Sequence, residues 1–108
     1  MASRRGRLDL LGSGNLDVLV RTVSATPKEY ISGLKQAVPD GVVVDGDQII
    51  VQSGPVSINI DIQVLPDYVI ALMRLPSLRA TWIFRSGSQD ERAECLKRID
   101  WSMKRGGG

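Results

Sequence analysis

Arg79 and Arg85 stand six residues apart in the alternating stretch Leu78-Arg79-Ala80-Thr81-Trp82-Ile83-Phe84-Arg85. Residues an even number apart on an extended chain share a face. The two guanidinium groups therefore project together and could meet phosphate or carboxylate groups. The same pattern also describes solvated charges on a half-wet strand. Asp40, Asp45 and Asp47 crowd carboxylates near two turns, a donor type that suits a hard cation. A calcium loop of the EF-hand kind closes with a glutamate at its twelfth position, and after Asp40 that position is Val51. Asp-Gly turn chemistry accounts for these residues without a metal. Cys95 lies on an apolar helical stripe, which marks a buried, inert thiol rather than a nucleophile.

The chain has no histidine and a single cysteine. The commonest general base and the commonest metal ligand are therefore missing, as are the Cys/His zinc sites and nucleophilic pairs. Neither a GxxxxGK[ST] nor a GxGxxG string occurs. Gly12-Ser13-Gly14 reads as a spacer or turn, because no lysine follows it at the spacing a phosphate loop needs. These features point away from an enzyme and to no cofactor or metal.

The elements that would position any site follow from periodicity. Val56 to Val64 reads Val-Ser-Ile-Asn-Ile-Asp-Ile-Gln-Val, an unbroken alternation that fits a strand with one buried face and excludes a helix. Leu16 to Val23 reads as a first strand, with Leu16, Val18 and Val20 on one side and Asp17, Leu19 and Arg21 on the other. Thr26-Pro27-Lys28-Glu29 starts a helix, with Thr as N-cap, Pro at the first helical position and Glu reaching back. Tyr30, Ile31, Leu34, Ala37 and Val38 form its apolar stripe, and Gly33 within it implies a close approach to the sheet. Turn signals at Asp45-Gly46, Ser53-Gly54-Pro55, Leu65-Pro66-Asp67 and Leu75-Pro76-Ser77 then separate strands over 42–44, 48–52, 56–64, 68–74 and 78–85. Links this short join antiparallel neighbours, so the segment is a meander. Ser88-Gln89-Asp90-Glu91 is a second capping box, opening a helix to about Met103 with Cys95, Leu96, Ile99 and Met103 on one face.

The expected fold is therefore α+β: strand, helix, antiparallel meander of four to five strands, helix, in one domain over 15–105. A curved sheet packs on the C-terminal helix. A basic arm (1–14) precedes the domain and a glycine tail (106–108) follows it. The arm's Leu8-Asp9-Leu10-Leu11 could add an edge strand. The element order over 16–103 resembles the β-α-β4-α topology of TBP-like and helix-grip folds. That resemblance concerns topology alone and implies no function.

The composition, 43% hydrophobic and 24% charged with a net charge of +2, is that of an ordinary globular chain. Charge is unevenly spread: residues 38–73 hold five Asp and no Lys or Arg, whereas the flanking segments are net basic. One cysteine suits a reducing compartment, and the first residues are too interrupted for a signal peptide. These features point to the cytoplasm, with no membrane span.

Two features point to an interface. The 68–74 segment is apolar on both sides, with Tyr68, Ile70 and Leu72 alternating with Val69, Ala71 and Met73. Placed between the 56–64 and 78–85 strands, it would give the sheet an apolar outer patch, joined by Ile83 and Leu19, unless Leu8 to Leu11 fold back over it. Trp101 falls among Lys97, Glu94 and Arg105 on the charged side of the last helix, unless that helix frays before it. The sequence thus favours a non-enzymatic interaction module: a homodimer, or the binder of a protein partner, acting through its sheet face. A carrier of a small apolar ligand, with Trp82, Phe84, Leu96 and Met103 lining a cavity, is the alternative. Nucleic-acid binding through Arg4, Arg5, Arg7, Lys104 and Arg105 is opposed by the acidic middle.

Overall fold

Residues 16–105 are described by a computed structural model; the basic arm and the glycine tail lie outside the described residues. The elements run β1 (Val18–Val23), α1 (Pro27–Ala37), β2 (Val42–Asp45), β3 (Gln48–Ser53), β4 (Val56–Ile70), β5 (Met73–Phe84) and α2 (Gln89–Arg105). The five strands form one antiparallel sheet in the order β1-β5-β4-β3-β2. The meander is β2 to β5, and β1 returns to the edge beside its last strand. The α+β class and the element order are those expected from sequence.

Both helices begin as their spacing predicts. The Thr26 hydroxyl accepts the Glu29 amide while the Glu29 carboxylate accepts the Thr26 amide. Ser88 and Glu91 repeat the exchange at α2. Each box satisfies amide donors that the first helical turn leaves without a partner. Both helices then pack on the same face of the sheet. Tyr30 and Leu34 from α1, its C-cap Val38, and Cys95 and Ile99 from α2 meet Ile49, Val51, Val56, Ile58, Ile60, Leu78, Ala80, Trp82 and Phe84, all buried. The alternation of β4 and β5 places these strand residues inward by the period of two. Cys95 is the buried, free thiol its position predicts.

Three local expectations are corrected. In β1 the half-buried residues are Leu19, Arg21 and Val23, whereas Val18 and Val20 are each 57% exposed. Leu19 therefore faces the core, not the outer patch. A methyl at Gly33 would lie 3.0 Å from Cε of Met103, so this glycine admits α2 rather than the sheet.

The expected strand at 68–74 does not exist as a separate sheet member. Leu65-Pro66-Asp67 is no turn: β4 runs on through it to Ile70, and Pro76 lies inside β5. The reversal is at Ala71-Leu72, between the paired residues Ile70 and Met73. Strand 56–64 therefore pairs directly with 78–84. The physical reason is that both prolines occupy a stretch with no third strand beside it, where a missing amide donor leaves no ladder bond broken.

A polar chain through the core ties the layers together. Trp82, fully buried, donates its indole N–H to the Tyr30 hydroxyl at 2.9 Å. The Arg21 guanidinium sits 5.7 Å from the Trp82 ring centroid and forks onto both carboxylate oxygens of Asp100, one of them at 2.7 Å. Side chains from α1, β5, β1 and α2 are thus linked in sequence. A second clamp holds the start of α2: Arg92 donates to the Leu16 carbonyl at 3.1 Å and to Asp17 at 2.8 Å, 5.9 Å from the Phe84 ring centroid. Gln89 accepts the Leu16 amide at 2.7 Å.

Burial, the largest influence, pushes the Tyr30 hydroxyl above its ordinary value of 10.0, against the opposing pull of the Trp82 hydrogen bond. The Asp100 hydrogen bond holds the Arg21 guanidinium above its ordinary range. Because folded Tyr30 binds its proton more tightly than the unfolded chain does, its contribution is complete below about pH 10 and is lost as pH rises further. Tyr30→Phe strands the buried indole N–H and should cost about 1–3 kcal/mol in urea titration at pH 7. The difference from the parent should shrink above about pH 10.

Candidate functional site

β3 pairs with β4 only from Val56 to Asp61, and β1 pairs with β5 only from Leu78 to Ile83. Beyond those limits β4 and β5 continue as a two-stranded ribbon with no third strand beside either edge. The ribbon carries the molecule to a long dimension of 49 Å and a radius of gyration of 15.1 Å, against about 13 Å for a compact chain of 100 residues.

Its far end is apolar and open. Tyr68, Val69, Ile70 and Met73 are each at least half exposed, and Leu72 at the apex is 101% exposed. Pairing continues Leu65 with Ser77, then Tyr68 with Leu75, so Pro66 and Asp67 together oppose Pro76. This bulge shifts the alternation of β4 by one residue. By register, Tyr68, Ile70, Met73 and Leu75 share the sheet's outer side, and Val69 and Arg74 take the other. Asp67 and Arg74 form an exposed ion pair at 3.9 Å, worth little in water.

The helix-free face of the sheet carries a second apolar group. Val18, Ile83, Asn59, Ile50 and Val43 line up across it by successive pairings, and Val18, Ile83 and Val43 are exposed. The next row, Val20, Thr81, Asp61, Gln48 and Asp45, is mostly polar. The outer side of β4 and β5 therefore presents an apolar tip, a polar waist and an apolar row.

The sequence-derived interface residues Tyr68, Val69, Ile70, Leu72 and Met73 thus gather at the tip, Ile83 lies in the row, and Trp101 lies elsewhere. α2 continues through Trp101, which is 64% exposed beside Lys97 and Lys104, on the far side of the helix layer from the row. Arg79 on β5 and Arg85 just past its end are both exposed, and Arg79 donates to Gln63 at 3.1 Å. Six residues of strand separate them by roughly 20 Å, so they do not converge on one small anion. Trp82 and Phe84 belong to the packed core, with ring centroids 6.1 Å apart. Leu96 and Met103 border two separate surface clefts, the latter one of about 560 Å³ between α1 and α2. No group of three metal-ligating side chains gathers among the described residues.

Val18, Val20 and Leu75 are additions that sequence reasoning missed. The signal for the first two was Arg21, whose partner Asp100 sits on the core-facing side of α2. With Arg21 turned inward, alternation turns Val18 and Val20 outward. No helix among the described residues is long and apolar enough to cross a membrane. No protein-family model matches the chain, and no curated protein matches it in sequence.

The apex itself is strained. Ala71 has φ +54°, in the first loop position, where the other two hairpins of the meander place Gly46 (φ +63°) and Gly54 (φ +57°). Such a φ costs a residue with a Cβ roughly 1–2 kcal/mol. Ala71→Gly should therefore stabilise the hairpin by up to about 1 kcal/mol, read as a higher melting temperature. Ala71→Val should lower it.

Proposed function

We propose that this protein is a non-enzymatic interaction module that associates with a second copy of itself through the outer side of its sheet. The observation that carries the reading is the concentration of exposed apolar side chains on that side: Val18, Val20, Val43, Tyr68, Ile70, Met73 and Ile83, with Leu72 at the apex. Large exposed apolar patches on a soluble chain mark interaction sites, and here two of them, tip and row, lie on one side of the sheet. A two-stranded ribbon without a partner is marginal in water, and this one is apolar where it is least supported.

Carriage of an apolar ligand draws less support, because Trp82 and Phe84 occupy the space between sheet and α2 themselves. Nucleic-acid binding draws less still. Arg79 and Arg85 stand far apart, and Asp45 and Asp61 share the outer side of the sheet with Arg79. The single, buried, free cysteine suits work in a reducing compartment, the cytoplasm.

Light scattering at micromolar concentration should return a dimer. Ile70→Lys and Met73→Lys should each weaken association at least tenfold, about 1.4 kcal/mol. Both sites are exposed, so stability should change by no more than about 0.5 kcal/mol. A parent chain that stays monomeric removes the proposal, and unfolding of both lysine variants would assign these residues to the fold instead.

A further inference from the structure

We infer that the two copies pack outer face to outer face with their long strands antiparallel, so that the ribbon tip of each covers the apolar row of the other. This inference rests on the self-association proposed above and specifies its geometry. Met73 and Ile83 lie ten residues apart on β5 and on the same side, a separation of roughly 33 Å. A two-fold axis lying between the faces and across the strands, midway between these residues, superposes tip on row twice. Isologous contacts require this kind of self-complementary surface.

The register then dictates the neighbours. Met73 falls over Ile83 of the second copy, Ile70 over its Asn59, and Leu75 over its Thr81. The Asp61 carboxylate meets the Tyr68 hydroxyl of the second copy, a charge-assisted hydrogen bond. Arg79, near the axis, falls over Ser77 and not over its own counterpart. The two Arg79 side chains lie two residues, roughly 7 Å, apart along the facing strands, each donating to its own Gln63. Aligned sheets pack at about 30°, which at roughly 16 Å from the axis moves each tip about 8 Å sideways, so these neighbours fix the level along the strand while the tip lies across the row toward its outer members. Tip and row supply Tyr68, Ile70, Leu72, Met73, Val18, Val43 and Ile83, all exposed, as the apolar part of such an interface.

Two other occupants fit worse. Addition of a strand to the ribbon's edges is blunted by Pro66, Pro76 and the bulge, devices that keep free edges from pairing. An anionic lipid surface would meet the tip within a segment, 38–73, that holds five Asp and no Lys or Arg.

Cross-linking with a bismaleimide of about 13 Å reach separates these geometries, because sheets packed face to face lie about 10 Å apart, too far for a direct disulfide. Met73→Cys and Ile83→Cys are prepared as two proteins, both retaining the buried Cys95, then mixed and treated with the cross-linker. The mixed cross-link should form at least tenfold in excess over either homodimeric one, identified by mass. Light scattering on the same samples reads self-association independently of its geometry. A dimer that yields only Met73→Cys homodimeric cross-links, or none, overturns the antiparallel arrangement and leaves self-association standing. A monomer overturns both. Co-sedimentation of the monomer with phosphatidylserine-containing vesicles, abolished by Leu72→Lys, would assign the tip to lipid and overturn the arrangement as well.

Discussion

Both helices lie on one face of a five-stranded sheet, and the chain from Tyr30 through Trp82 and Arg21 to Asp100 locks them there. Each link has a different physical basis: a neutral hydrogen bond in the dry core, a cation over an aromatic face, and a forked ion pair at the core's edge. Asp100 and Arg21 are partly exposed, so the pair itself contributes modestly. Its consequence is positional. Drawing Arg21 inward commits β1 to one of two possible orientations, and the period of two then sends Val18 and Val20 to the side no helix covers.

The same constraint explains why the ribbon is open. The helices reach over the part of the sheet where β1 and β3 flank the central strands, and β4 and β5 outgrow that part. Past Asp61 on β4 and Leu78 on β5 no strand of the described chain lies beside them, although the Ser24 hydroxyl still reaches the Pro76 carbonyl at 3.1 Å. Residues that would be ordinary core elsewhere, Tyr68, Ile70 and Met73, are therefore left in water. The strained Ala71 at the apex adds to the cost of holding this hairpin. A device that spends stability in an exposed, apolar position is expected where a contact is made, since strain persists where surrounding structure or function compensates it.

Much of the fold was legible in the residues. The two capping boxes, the alternation of 56–64 and 78–84, the helical stripes and the Asp45-Gly46 turn all act locally, so their physics is visible in a short window. The long hairpin was not. Its prolines resemble turn signals, and its actual turn, Ala71-Leu72, contains neither Gly, Asn nor Asp. Only the absence of flanking strands, a long-range fact, makes Pro66 and Pro76 acceptable within β4 and β5. The orientation of β1 depended on Arg21 finding Asp100, which lies 79 positions away. The apolar character of the 68–74 segment was readable, but its place, a projecting tip instead of a sheet centre, was not.

The central claim is that the apolar ribbon is completed by a second copy of the chain. Amide hydrogen exchange across a hundredfold range of protein concentration tests it most directly, because it reads the ribbon and the core separately. Amides over 66–76 should gain protection as concentration rises, while those of Ile58, Ile60 and Trp82 stay equally protected throughout. Equal protection of the ribbon at every concentration would contradict the account.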